Sequence, residues 1–163
     1  MIYSDILERI SPKKGKLIRR NLIFGWSYFV KLKLFPTSFA PERTSVLLIH
    51  DDADDRIASI WFPYAKGTDI ETERRMIIYS DVHGNGKHNI WTPAYPPGKM
   101  IDIVIEQVKE GSVYFFQVKI NQQLIKRERN NVPRMKKGMR MYVSNVEHAP
   151  QLGYIYDLEY SAV

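Results

Sequence analysis

The chain has 163 residues, 44% of them hydrophobic and 26% charged, with a net charge of +6, which is enough apolar material for one ordinary core and argues against disorder. It has no cysteine, so disulfides, thiolate metal sites and cysteine nucleophiles are excluded. No apolar run approaches the roughly 20 residues that cross a bilayer, and "MIYSDILERISPKKGK" carries charge where a signal peptide needs an apolar stretch. A single domain over residues 1–163, with 1–12 as a lead-in, is expected.

Residues 3–10, "YSDILERI", set Ile6, Leu7 and Ile10 at helical spacing behind Ser4 or Asp5 as a cap, which predicts a short helical lead-in. Beyond it period two dominates. In "WSYFVKLKLF" (26–35), Trp26, Tyr28, Val30, Leu32 and Leu34 share one face, while Ser27, Phe29, Lys31, Lys33 and Phe35 share the other. Further strands are predicted over 44–49, 56–62, 75–82, 100–108, 112–120, 123–128, 139–145 and 153–160. "HGNGKHN" (83–89) and "PAYPPGK" (93–99) read as turns, since glycine and asparagine accept positive φ and proline removes a ladder donor. Asn121 in "INQQ" suits the left-handed position of a tight hairpin. About nine strands joined by turn-rich segments predict an all-β antiparallel sandwich or barrel.

Charge is unevenly spread. Arg9 to Lys33 holds eight bases and no acid, residues 41–81 hold nine acids against five bases, and 126–140 holds seven bases against one acid. Lys13, Lys14, Lys16, Arg19, Arg20, Arg134, Lys136 and Lys137 are therefore candidates for a polyanion surface; the alternative is solvated basic side chains on outer faces and edges.

"HDDADDR" (50–56) packs four carboxylates into five positions. It fails as a calcium loop of the helix-loop-helix kind, because the twelfth position from Asp51 or Asp52 is Phe62 or Pro63 rather than glutamate. Between two strand-like segments it reads as a solvated hairpin tip, or as a rim calcium site through Asp52, Asp54 and Asp55. In "DIETE", Asp69, Glu71 and Glu73 would share a strand face, but their flanks lack the apolar alternation that would bury them, so an exposed loop is expected. Asp102 and Glu106 share a face about 13 Å apart, too far for either glycosidase geometry. His50, His83, His88 and His148 have no zinc-ligand spacing, "GNG" opens no helix, and no serine sits in a nucleophile elbow. A noncatalytic protein is expected. The aromatic strand 112–120 beside basic residues could face nucleic acid, yet Tyr114, Phe116, Val118 and Ile120 form an apolar face suited to a core, and no ribonucleoprotein signature is present.

The stretch "PPGKMIDIVIEQVKEGSVYFFQVKINQQLIKRERNNVPRMKKGMRMYVSN" resembles the second half of concanavalin A-like, laminin G-like jelly-roll domains. "MRMYVSNVEHAPQLGYIYDLEY" resembles their closing segment, "KGKLIRRN" with "WSYFVKLKLFPTSF" their opening strand pair, and "DDRIASIWF" their "G-D-R-I-P-A" stretch. The resemblance implies a jelly roll that recognises a glycan or an extracellular protein. It also implies an extracellular location, although without a signal peptide in this stretch a cytoplasmic one stays open. The cysteine pair carried by many members is absent. Galectins share the layout and bind galactosides through polar residues on the strand resembling "IASIWFPYA" and a "W-x-x-E-x-R" motif. Here Ile60, Phe62 and Tyr64 stand where those polar contacts would be, and "TPAY" follows Trp91.

The remaining glycan candidates are His88, Asn89, Trp91 and Tyr95, which combine imidazole, amide and stacking groups; the alternative is that Trp91 plugs one end of the core. Glycan binding is the leading expectation. A structural or protein-interaction domain, including a homo-oligomer assembled through sheet edges, and polyanion binding are the others. No cofactor is expected beyond the calcium candidate.

Overall fold

The computed structural model describes residues 2–4, 9–63, 74–144 and 148–162. The strands are β1 (Ile2–Ser4), β2 (Lys16–Phe24), β3 (Tyr28–Pro36), β4 (Thr44–His50), β5 (Arg56–Phe62), β6 (Arg74–Val82) and β7 (Asn85–Tyr95). They continue with β8 (Ile101–Glu110), β9 (Val113–Ile120), β10 (Gln123–Arg129), β11 (Lys136–Val143), β12 (Ala149–Pro150) and β13 (Gly153–Ser161). Sheet A runs β1, β13, β3, β8, β9, β10, and sheet B runs β2, β11, β4, β5, β6, β7, with β12 beside β4. Every pairing is antiparallel except the short β12–β4 contact.

Alternation explains the two layers. In sheet A, Val30, Leu32 and Leu34 of β3, Ile101, Ile103 and Ile105 of β8, and Phe116, Val118 and Ile120 of β9 point inward and are buried. They meet Leu47 and Ile49 of β4, Ile60 and Phe62 of β5, Ile78 of β6 and Met139, Met141 and Val143 of β11. Each such side chain contributes about 1.5–3 kcal/mol on burial, and the faces interdigitate as stacked sheets do.

The predicted lead-in helix is not found. No helix occurs among the described residues; Tyr3 and Ser4 lie in β1 against β13, and Ile10 bridges Ile155, both its N–H and C=O bonding there at 2.8 Å. The rest of that prediction, residues 5–8, lies outside the described residues. At Tyr3, Ser4 and Ile10 a sheet edge that offers ladder partners prevails over the helical reading.

Two strands escape period-two reading. In β2, Asn21 has φ 53° and the pairing with β11 shifts register three times, so the apolar residues do not alternate cleanly. In β7, glycine and proline sit inside a strand; it ends sheet B, so Pro93 has no further neighbour to donate to. The predicted 83–89 turn contracts to His83 and Gly84, with φ 58° and 73°. Trp26 precedes β3 and is exposed, and the inward set begins at Tyr28.

The Asn121 hairpin forms as predicted, with φ 51° at Asn121 and 67° at Gln122. The Asn121 side-chain oxygen accepts from Asp102 N–H at 2.9 Å, fastening the turn to β8.

One end of the sandwich is held by buried charge. Asp81, at the end of β6, has a side chain only 4% exposed; Lys136 Nζ reaches it at 2.6 Å, and Arg134 donates to both its oxygens at 2.8 and 3.0 Å. Asp55, at the tip before β5, shares both cations at 3.3 and 3.5 Å. Gly86 lets that tip approach, since a Cβ there would overlap the Asp55 carboxylate and sit 2.9 Å from its Cα. Burial alone would raise the Asp81 carboxyl, but the hydrogen bonds and charges of Arg134 and Lys136 hold it below the ordinary carboxylate range.

Two outcomes are expected. The folded Asp81 keeps its charge where the unfolded residue, at pKa ~3.9, takes up a proton. Its contribution is therefore complete above about pH 4 and lost as pH falls through the depressed value. Urea melts across pH should lose stability below about pH 4, and Asp81→Asn should flatten that limb while costing ~3 kcal/mol at neutral pH by leaving buried Lys136 with Asp55 alone, at 3.3 Å. Second, Gln122→Gly should raise stability by ~0.5–1 kcal/mol in chemical denaturation, because glycine relieves a left-handed residue.

Candidate functional site on the outer face of sheet B

Ladder register arranges the outward side chains of sheet B in three rows. The first is Arg140, His50, Arg56 across β11, β4 and β5. The second is Tyr142, Leu48, Ser59, Tyr79, Asn89, from β11 to β7. The third is Ser45, Trp61, Ile77, Trp91, from β4 to β7.

A bulge supplies one member of the first row. Ile49 pairs with Ala58 but His50 pairs with Arg56, so Ile57 is the extra residue. Ile57 turns into the core, and Arg56 is thrown onto the outer face, the re-aiming that bulges produce. Were Ile57 paired regularly, it would face outward and the Arg56 guanidinium would point between the sheets.

The rows are knitted by ring and cation contacts. The Arg56 guanidinium lies 5.0 Å from the Tyr79 ring, and Trp61 sits 5.4 Å from Tyr79 and stacks on His148 at 5.0 Å. Arg43 covers Trp61 at 5.2 Å, Arg75 covers Trp91 at 5.2 Å, and His50 meets Tyr142 edge-on at 5.6 Å. Beneath these large groups Leu48, Ser59 and Ile77 are buried although they face outward. Three buried N–H groups, Arg56 Nε, Arg140 Nε and Trp61 Nε1, have no acceptor among the described residues. Leaving such donors unmade is costly, and a ligand acceptor would remove that cost.

The acidic tip borders the first row. Asp51 folds the turn itself, its Oδ1 accepting from Ala53 N at 3.0 Å and Asp55 N at 2.9 Å. Asp52 meets Arg140 at 2.9 Å with its side chain 92% exposed. Asp54, at φ 59°, takes His50 Nδ1 at 2.8 Å, Lys87 at 3.2 Å and Arg56 at 3.3 Å. Burial would raise the Asp54 carboxyl, but the hydrogen bonds from His50, Arg56 and Lys87 prevail and bring it to about 2. Asp52, Asp54 and Asp55 thus diverge onto separate cations, and among the described residues no three His, Asp or Glu side chains are grouped to hold a metal.

The four glycan candidates separate. Asn89 and Trp91 stand at the ends of the second and third rows, and Trp91 is 46% exposed, so it does not plug the core. His88 points the other way, its Nε2 donating to Glu128 of β10 at 2.6 Å and bridging the sheet edges. Tyr95 packs against the core. His88, Asn89, Trp91 and Glu128 border a groove of about 250 Å³ between the β7 and β10 edges.

The basic candidates also divide. Lys13, Lys14, Arg19, Arg20 and Lys137 are exposed on or beside β2 and β11, with Lys16 half-buried. Arg134 and Lys136 are instead engaged by Asp81 and Asp55, and Lys136 is buried. Tyr64, Asp69, Glu71 and Glu73 lie outside the described residues. Glu106 is held by Gln117 and Lys119 on sheet A.

On β5 the expected roles reverse. Ile60 and Phe62 are core, and Ser59 and Trp61 are the outward residues. The alternation in "SIWF" carried that signal, whereas nothing in the spacing marked Arg56, because a bulge leaves no trace in residue type.

No family model matches the sequence, and none of the curated proteins does. Among solved structures, the chain is similar to a native heptameric SAP-like pentraxin from Limulus polyphemus, with TM-score 0.55 and 12% identity over 94% of this chain and 72% of that one. It is similar to a marine PL7 alginate lyase from Zobellia galactanivorans, with TM-score 0.53 and 9% identity over 96% of this chain and 66% of that one. It is similar too to the CBM40 of Ruminococcus gnavus IT-sialidase bound to α2,6 sialyllactose, with TM-score 0.50 and 11% identity over 95% of this chain and 90% of that one. Identities this low speak for the scaffold alone, and the scaffold is a concanavalin A-like jelly-roll sandwich.

Proposed function

We propose that this sandwich is a noncatalytic glycan-recognition module that binds on the outer face of sheet B. The observation that carries the reading is the three-row array: an exposed Trp91 and a Tyr pair for stacking, with Asn89 and three N–H donors that have no acceptor among the described residues for direction. Sugar recognition needs both kinds of group on one preformed surface. Four strand spacings separate Arg140 from Trp91, about 19 Å along the sheet, a span for an oligosaccharide rather than one ring.

The Ruminococcus module, on the same scaffold, is bound to sialyllactose, which supports the reading by analogy. The similar alginate lyase is a reminder that the scaffold also hosts chemistry. Recognition is favoured here because Asp52 and Asp54, the carboxylates bordering the rows, are neutralised by cations instead of standing as an acid and base pair.

A glycan array followed by calorimetry should find saturable binding that Trp91→Ala weakens about tenfold or more, with the melting temperature of the variant preserved because Trp91 is outside the core. A blank array with concentration-dependent oligomers would replace this reading with a protein-interaction role. Calcium does not enter the proposal, because Asp52, Asp54 and Asp55 point to different cations and do not converge on one point. Millimolar calcium should leave the melting temperature where chelator puts it, and a rise would restore the rim site.

A further inference from the structure

Resting on that reading, we infer that the glycan is carboxylated, its carboxylate held at the first row by Arg140 and Arg56. Around the rows, Arg43, Arg56, Arg75, Lys87 and Arg140 stand against Asp51, Asp52 and Asp54 among the described residues. That excess of positive charge gains nothing from a neutral sugar and favours an anionic one.

The hydrogen-bond inventory is more specific. Arg140 meets Asp52 through Nη1 at 2.9 Å, and Arg56 uses Nη2 on Asp54 at 3.3 Å and Nη1 on Ser59 Oγ at 3.4 Å. In both arginines the buried Nε has no acceptor among the described residues. A guanidinium receives a carboxylate side-on through Nε and a neighbouring terminal nitrogen, so the unsatisfied atom is the one this mode uses. The three contacts that would compete are weak ones: Asp52 is almost wholly solvated, and the two Arg56 bonds are long. A ligand carboxylate can displace them at small cost.

Position agrees with the chemistry. Arg140 and Arg56 flank His50 on adjacent strands, about 10 Å apart at Cα, close enough for their side chains to approach one sugar unit from two sides. Trp91 lies several sugar units away at the far end of the third row. The acid would therefore be read at one end of the chain and the ring stacked at the other.

The test compares four ligand sets by calorimetry: hexuronate oligosaccharides, sialylated oligosaccharides, the carboxyl-reduced form of each, and sulfated chains. One of the two carboxylated classes should bind about tenfold or more tighter than its reduced form, and Arg140→Gln should erase that preference. Arg56→Gln should do the same; if it does not fold, Arg140→Gln alone decides, since Arg140 acts from a strand held by ladders on both sides. Lys109→Gln, on β8 of sheet A, is the control. The salt dependence should be shallow, a slope of about one, as for one or two ion contacts.

Equal binding of reduced and carboxylated forms, or a preference that survives Arg140→Gln, overturns this inference and leaves glycan recognition standing. No binding in any set overturns both. Sulfated chains that bind with steep salt loss and respond to Arg19→Gln and Arg20→Gln, but not to Arg140→Gln, overturn it in favour of a polyanion strip on β2.

Discussion

Two sheets that bury their inner faces against each other leave every strand one set of alternate side chains to present outward, and each feature of the site follows from which set that is. On β5 the inner set is Ala58, Ile60 and Phe62, so Ser59 and Trp61 have nowhere to go but out. On β11 the inner set is Met139, Met141 and Val143, which commits Arg140 and Tyr142 to the same outer face. The rows are thus a by-product of core packing. Their alignment across strands depends on the residues that break the alternation: Val46 and Ile57 are each inserted opposite a regular partner, and each restores the register that the next row needs.

The acidic hairpin tip couples this surface to the sandwich end. Asp55 belongs to the buried group with Asp81 and Lys136, while Asp54, its neighbour, orients His50 and Arg56. The two do different physical work. Exposed pairs such as Asp52 with Arg140 are worth little in stability and serve mainly to hold a long side chain in place. The buried group has paid a desolvation cost that only complete pairing offsets, so it fixes how β6, β11 and the tip meet more than it adds to stability.

Most of the fold was legible because its strands are half-buried and alternate. The segments 56–62, 100–108, 112–120 and 153–160 needed only hydrophobic patterning, and the Asn121 turn only residue chemistry. What escaped were the edges. Strand β7 is stabilised by one neighbour and tolerates glycine and proline, and β2 bends through irregular pairing, so neither shows the pattern of a central strand. The site was half legible: Asn89 and Trp91 stood out as a polar and an aromatic residue in one segment, and both face outward. His88 and Tyr95, in the same segment, face inward, because a strand divides neighbours that a turn would gather. Arg140 looked like one more base in a basic run, and only pairing with β4 gives it a partner in Arg56.

The order of strands also governs when the molecule can come together. Strand β2 closes sheet B only through β11, and β3 lies between β8 and β13, so the earliest strands find their neighbours among the latest. Hairpins such as β4–β5, β8–β9 and β9–β10 can form locally, but β3 must wait for β8 and then β13, and β2 for β11, before their apolar residues are covered. Closing such long loops first is what makes folding of non-local β topologies slow, and the unpaired strands stay open to neighbouring chains meanwhile. Lys16, Arg19 and Arg20 on β2 and Lys31 and Lys33 on β3 give those waiting strands like charge, which keeps nascent copies apart. Part of the basic character of the N-terminal quarter thus protects the chain before it has any surface with which to bind.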